Sequence, residues 1–444
     1  MRWLYSLCFY LLLPLVILRL LWRAKAAPAY AHRWSERFGF GACRPTGKPA
    51  IWVHAVSVGE TLAALPMIRH LQQRYPEYEL VVTTTTPTGS DRVKAALGGS
   101  VFHVYAPYDL PDCLARFLLR VRPCLAVIME TELWPNTVAA CRHRGIPVLV
   151  ANARLSAKSA RGYQRFSALA SPMVAGLSGV AAQHQDDGDR FLQLGLPPSA
   201  LTVTGSIKFD LTISRETEQL ASTYRKRWQG SLQRDNNSLQ RDNNSLQRDN
   251  NNPRPILLAA STHEGEDELL LQAAKQLWQT HSELLLVLVP RHPERFERVV
   301  KLAETYAPTQ RHSEGEAVLP QTRVLVGDTM GEMMALLGAS DLVFMGGTWV
   351  ETGGHNLIEP AAWGKPIVCG PSLFNFAEVS RLLQEAGALE IVESPQQLAA
   401  QVGVLLGDAD KAEAMGQAGK AVAEANRGAL ERLLGLIDST LPRG

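Results

Sequence analysis

The tract Gly346-Gly347-Thr348-Trp349-Val350-Glu351-Thr352-Gly353-Gly354-His355-Asn356-Leu357-Ile358-Glu359-Pro360 gathers glycines, an imidazole, an amide and a carboxylate directly behind the apolar run Leu342-Val343-Phe344-Met345. Such a run reads as a buried strand, and open α/β sheets hold ligands beyond the C-terminal ends of their strands. Glycines such as Gly354 let backbone amides approach a ligand, and a helix begun within Asn356–Ala362 would turn its N-terminal amides toward an anion. Glu359 follows Asn356 by three residues, so on one helical face the amide and the carboxylate can hold a ribose diol. These features suit a phosphorylated nucleotide. A glycine-rich turn capped by Asn356, with Glu359 as its capping-box partner, explains the same residues equally well.

Other polar groups end other apolar runs. Glu60, directly after Ser57-Val58-Gly59, is the best candidate for a general base, because a carboxylate there faces the ligand crevice and Gly59 leaves room for a hydroxyl. The same Glu would also complement the dipole of a helix over Thr61–Tyr75, which lowers its pKa unless burial or Glu130 and Glu132 raise it. Glu130 and Glu132 flank Thr131, and an extended backbone would point them to opposite faces. Thr83–Gly89 adds hydroxyls and a turn. Ser261-Thr262-His263-Glu264 offers either ligand contacts or a plain helix cap.

These groups need a scaffold, and the chain alternates short apolar runs with helical patterns, the signature of parallel βαβ units. Strands are expected at Ala50–His54, Leu80–Thr84, Val101–Tyr105, Leu125–Glu130, Val148–Asn152, Gly179–Ala182 and Leu201–Thr204. The pattern restarts at Ile256–Ala260, Leu284–Val289, Val324–Val326, Leu342–Met345 and Ile367–Cys369. The fold class is α/β, with two doubly wound Rossmann-like domains and the chemistry expected in the cleft they face. The expected division is an anchor over 1–25, a first domain over 26–215, a linker over 216–254, a second domain over 255–425 and a terminal helix over 426–444. Ser231-Leu232-Gln233-Arg234-Asp235-Asn236-Asn237 recurs unchanged at 238–244 and 245–251. One Leu per repeat leaves no second seam position for a coiled coil, so a polar, functionally neutral loop is expected.

Trp3–Leu18 is apolar apart from Ser6 and Pro14, long enough with a snorkelling Arg19 to cross a bilayer. Arg19, Arg23, Lys25, Arg33 and Arg37 on its C-terminal flank place the bulk of the chain in the cytoplasm. A cleaved signal peptide fits less well, since those cations lie on the wrong side. With 45 Lys and Arg against 43 Asp and Glu, dispersed along the chain, nothing suggests a nucleic-acid partner. The six cysteines form no CxxC pair, so neither a zinc site nor a disulfide framework is indicated.

The His-Asn-x-x-Glu-Pro wording at 355–360 resembles the 3-deoxy-D-manno-octulosonic acid (Kdo) transferases of lipopolysaccharide synthesis, which are GT-B glycosyltransferases. Further segments match that family in order: Arg33–Gly39, His54–Glu60, Glu130–Asn136, Asn152–Ser156, Gly205–Asp210 and Pro290–Pro293. The resemblance implies transfer of Kdo from CMP-Kdo to a lipid A precursor (lipid IVA) at the inner membrane, by an inverting displacement with Glu60 as the base. It places Glu130, Glu132 and Arg154 on the acceptor side, with the Arg33–Arg37 segment offering cations to lipid A phosphates. On the donor side, Lys208, Arg291 and the amides around Gly327, Thr329, Met330 and Gly354 would neutralise the phosphate and the sugar-acid carboxylate, Asn356 and Glu359 would hold the ribose, and Ser261, Glu264 and His292 would be further contacts. None of these segments carries an Asp-x-Asp pair for a metal-held diphosphate, so neither metal nor cofactor is expected. The alternatives are an inverting GT-B transferase using a UDP-sugar on another lipid, and a membrane-anchored nucleotide-binding module without catalysis. The missing GxGxxG after the first strand disfavours a dehydrogenase, and the missing GxxxxGK[ST] an NTPase.

Overall fold

A computed structural model describes residues 1–41, 47–229 and 253–441. The SLQRDNN repeats lie outside the described residues. The chain forms two compact units, Met1–Asp210 with Asn426–Gly444, and Leu211–Ala425.

The first unit is built on β1 (Ala50–His54), β2 (Glu79–Thr84), β3 (Phe102–Tyr105), β4 (Pro123–Met129), β5 (Val148–Ala153), β6 (Gly179–Ala182) and β7 (Leu201–Val203). They form a parallel sheet in the order β3-β2-β1-β4-β5-β6-β7. Side chains alternate across the pleat and both faces are covered, so Ile51, Val53, Leu125 and Val127 join one core while Trp52, Ala126 and Ile128 join another. The helix Ala429–Thr440 returns to this unit and inserts Leu430, Leu433, Leu434 and Ile437 into the first of those cores. Asp210 receives its leading amides, from Gly428 and Leu430, at 2.5 Å each, a carboxylate where helix amides lack partners.

The second unit holds β8 (Ile256–Thr262), β9 (Leu285–Pro290), β10 (Thr309–Arg311), β11 (Val324–Val326), β12 (Leu342–Met345), β13 (Ile367–Cys369) and β14 (Leu389–Ile391), in the order β10-β11-β9-β8-β12-β13-β14. β10 and β14 lie outside the expected set. Both are three-residue edge strands, which meet a neighbour on one side and can be polar. The stretch expected as a linker from 216 opens instead with the helix Arg215–Trp228, whose Tyr224 and Trp228 are buried at a spacing of four.

The apolar N-terminus is one helix, Arg2–Ala26, and an 18-residue stretch within Arg2–Lys25 has a mean hydropathy of 2.1 with little of it covered. It touches the first unit at Ser6, which accepts from Asn136 Nδ2 at 2.9 Å, and at Tyr10, which donates to Asp112 at 2.5 Å.

Candidate active site

In the first unit, β1 and β4 are neighbours where the strand order reverses, the place where doubly wound sheets bind ligands. The loops leaving both strands carry carboxylates. Ser57 caps the helix Val58–Arg74, so the helix starts before Glu60 rather than after it as expected. Glu60 N–H donates to Ser57 Oγ at 3.2 Å, the Ser57 hydroxyl donates to Glu60 Oε1 at 2.8 Å, and Val56 N–H donates to Oε2 at 2.7 Å. The carboxylate therefore has the capping role offered as the alternative to a base. Glu60 is 7 % exposed. Burial pushes its carboxyl above the usual range against those hydrogen bonds, and the Glu130 charge pushes the same way.

The extended backbone assumed for Glu130–Glu132 ends at Met129. Glu130 has φ +55°, a left-handed conformation that costs a non-glycine residue about 1–2 kcal/mol, and the Thr131 hydroxyl donates to the Arg154 carbonyl. Strand alternation no longer applies, and both carboxylates are coupled to Glu60: the Glu130 charge raises Glu60, and Glu132 is raised first by burial and then by Glu60.

Lys208 belongs with this cluster. Asn152, fully buried with φ +54°, accepts from Ile207 N–H at 3.1 Å, which ties the turn Ile207–Phe209 to β5. Lys208 Nζ then donates to Glu130 Oε1 at 3.1 Å. A residue expected among the donor groups thus stands in the first unit beside an expected acceptor group. Arg154 is half-buried and makes no ion pair among the described residues. Arg33 and Arg37 are engaged internally: Arg33 with Glu36, Ser90 and the His103 carbonyl, Arg37 with the Thr85 carbonyl at 2.9 Å and the Tyr105 ring.

In the second unit the equivalent reversal lies between β8 and β12. The glycine tract folds around a residue that sequence reasoning missed, Glu266. Its Oε2 accepts from Gly347 N–H at 2.6 Å and His263 N–H at 2.8 Å, and its Oε1 from Thr348 N–H at 3.0 Å and Trp349 N–H at 2.9 Å. An acidic residue in the first turn of the helix Glu266–Thr280 looks in sequence like an ordinary complement to the helix dipole. Gly353 has φ +84°, and a Cβ there would lie 2.6 Å from the Asn375 side chain, so the backbone path requires glycine.

The loop delivers His355 onto His263, with Nε2 atoms 2.9 Å apart and rings stacked at 5.1 Å, while His292 stands edge-on to His263 at 5.5 Å. Burial, His263 and Arg291 push His355 down to about 4. Burial raises Glu359, with Asn356 and then Arg291 opposing. Arg291, His292, Asn356 and Glu359 are thus gathered around a histidine pair that sequence reasoning had not singled out. Asn356 Nδ2 donates to Glu359 Oε1 at 3.1 Å and Asn356 Oδ1 accepts from Ile358 N–H at 3.1 Å, so the two are joined as in a cap, and the helix that follows is the short Ile358–Ala362.

The remaining expected residues are placed differently. Ser261, the last residue but one of β8, has φ +56°. Glu264 is exposed and pairs with Arg298 at 2.7 Å. Gly327 N–H donates to the Leu288 carbonyl at 2.7 Å, and Thr329 donates to Glu332 at 2.5 Å. Met330 is exposed. Among the described residues, none of these three bonds to the histidine cluster. Gly354 N–H donates to the Gly347 carbonyl at 2.8 Å and closes the loop.

Residues 32–211 match the family described as 3-deoxy-D-manno-octulosonic-acid transferase (kdotransferase), and residues 241–422 match glycosyl transferases group 1. The chain is 41% identical over 447 residues to the 3-deoxy-D-manno-octulosonic acid transferase of Haemophilus influenzae, covering 100% of this chain and 99% of the relative. It is 34% identical over 455 residues to the enzyme of that name from Bordetella pertussis, covering 99% of each. A solved glycosyltransferase from Rickettsia africae shares the fold, with a TM-score of 0.53 at 14% identity over 90% of this chain and 100% of that one. Full-length identity of this order, on two Rossmann-like units, places the chain in the 3-deoxy-D-manno-octulosonic acid transferase family of GT-B glycosyltransferases.

Proposed function

We propose that this Kdo transferase uses CMP-Kdo as donor and a lipid A precursor such as lipid IVA as acceptor, by an inverting displacement that needs neither metal nor cofactor. The observation that carries the reading is the buried Glu60 carboxyl, raised by burial and by Glu130 in the β1/β4 loops. A carboxylate brought toward the working pH is suited to accept a proton. The acceptor hydroxyl gives its proton to Glu60 as its oxygen bonds to the anomeric carbon, and the bond from that carbon to the phosphate breaks with its electron pair leaving on CMP. Glu130, Glu132 and Arg154 orient the acceptor. Lys208 places a positive charge beside Glu130. Arg291, His292, Asn356, Glu359 and the Gly354 loop hold the donor, with Ser261, Glu264, Gly327, Thr329 and Met330 as further contacts. The helix Arg2–Ala26 anchors the enzyme in the inner membrane with both units in the cytoplasm, which raises the local concentration of a lipid acceptor.

Incubating the reconstituted protein and Glu60→Gln with CMP-Kdo and a tetra-acylated lipid A precursor, and following the lipid's mass, tests the reading. A Kdo mass gain by the wild type that the variant loses while still binding CMP is expected. No gain with CMP-Kdo, and a gain with a UDP-sugar, would overturn it.

A further inference from the structure

Within the first unit, two adjoining hollows of about 480 and 160 Å³ open between the helices Ala157–Arg165 and Ser167–Val174 and the loop that follows Glu130. They share Gly162, Tyr163 and Phe166. The inner one is floored by core residues, Leu133 and Met173, while Phe166 at the rim is 70 % exposed. An apolar hollow with an exposed aromatic at its rim is a candidate binding place.

Three observations indicate what fills it. The outer hollow is lined by Thr131, the residue between Glu130 and Glu132, and the Glu132 charge adds to burial in pushing the Tyr163 phenol up, so the groove opens beside the carboxylate cluster. Lys158, Arg161 and Arg165 stand exposed along one helix at helical spacing and make no ion pair among the described residues. Pro135 lines the inner hollow, and its neighbour Asn136 donates to Ser6 of the apolar N-terminal helix at 2.9 Å. The helix Ala157–Arg165 thus carries both a wall of the groove and the cations, and the segment lining the inner hollow leads to the residue that holds the apolar helix.

We infer that the groove between Gly162, Phe166 and Leu133 receives one acyl chain of the acceptor lipid while the adjacent arginines and lysine meet its phosphates. This rests on the lipid-acceptor reading above and adds a subsite to it. A chain held there fixes which sugar hydroxyl comes to Glu60, so the groove acts on selectivity between acceptors.

Gly162 offers a direct test, because it lines both hollows and a Cβ built on it meets nothing within 4 Å, so Gly162→Trp adds an indole at their shared wall. The full-length protein in lipid nanodiscs is compared with Gly162→Trp, Gly162→Ala and the rim variant Phe166→Ser. Each receives CMP-Kdo with either the tetra-acylated precursor or its de-acylated disaccharide bisphosphate, and melting temperatures serve as a fold check. The ratio of kcat/KM for acylated over de-acylated acceptor should fall about ten- to a hundredfold in Gly162→Trp, less in Phe166→Ser and hardly in Gly162→Ala. A ratio equal to that of the wild type in both Gly162→Trp and Phe166→Ser overturns the inference, as does a changed oligomeric state with an unchanged ratio, which would assign the groove to a second copy. A wild type that transfers to neither acceptor overturns the lipid-acceptor reading and the subsite together.

Discussion

Ser57 and Glu60 hold each other, the Glu60 amide donating to Ser57 Oγ at 3.2 Å and the Ser57 hydroxyl donating to Glu60 Oε1 at 2.8 Å. A capping device and a proposed base are thus the same carboxylate, and substitutions at the two positions separate the roles.

Glu60→Gln keeps the shape of the cap and removes the base, so kcat should fall by about 10²- to 10⁴-fold with the melting temperature nearly kept. Ser57→Ala removes one hydrogen bond to the ionised carboxylate. The Glu60 carboxyl, already above its usual range, rises further, and the acid limb of the kcat/KM profile should move to higher pH, with about 1 kcal/mol of stability lost with the cap. A limb that stays in place would deny that Glu60 is the group titrating.

Lys208→Met breaks a partly exposed pair, with the two side chains 32 % and 27 % exposed, so stability should change by less than about 1 kcal/mol. Turnover should fall about ten- to a hundredfold, the worth of one charge-assisted hydrogen bond. Denaturant melts beside steady-state kinetics check the contrast, and a loss confined to stability would make the pair merely structural.

Glu266→Gln replaces an acceptor of four backbone amides with a group that presents its own N–H donors to them. Unpaired buried amides cost about 1–3 kcal/mol each, so the Gly347–Trp349 amides should exchange with deuterium faster and the donor KM should rise. Unaltered exchange at these amides would show that the loop holds its shape without the carboxylate.

His54 and His355 are both pushed down from 6.5 to about 4, chiefly by burial. Each binds its proton more readily when unfolded, so its contribution to stability is complete above pH 6.5 and is lost as pH falls toward about 4. Urea midpoints at pH 7, 5.5 and 4.5 should decline, and His355→Gln should flatten part of that decline. An equal decline in wild type and variant would rule out His355 as a source.

The central strands were legible in sequence because each is a short apolar run between helical patterns, buried on both faces; β10 and β14 were not, because an edge needs little apolar surface. Glu60, Glu130 and Arg291 could be singled out as candidates because they follow recognisable strands. The union of Glu130 with Lys208 could not, since it depends on Asn152 drawing in a turn more than fifty residues away, bonded through Ile207. Glu266 was hidden for a different reason: its four partners lie in backbone amides, and amides carry no residue-type signal. The left-handed Glu130 overturned a periodicity argument that is sound only for an extended chain.

The helix Ala429–Thr440 completes a core whose other members come from the first half of the chain. On the ribosome, the second unit has all its residues before the first one does. The N-terminal unit must wait, its apolar face uncovered, until Ala429–Thr440 has been made, and partly built domains with bare apolar surface are the ones that aggregate or engage chaperones. A premature stop near the C-terminus would therefore damage the half of the protein made first.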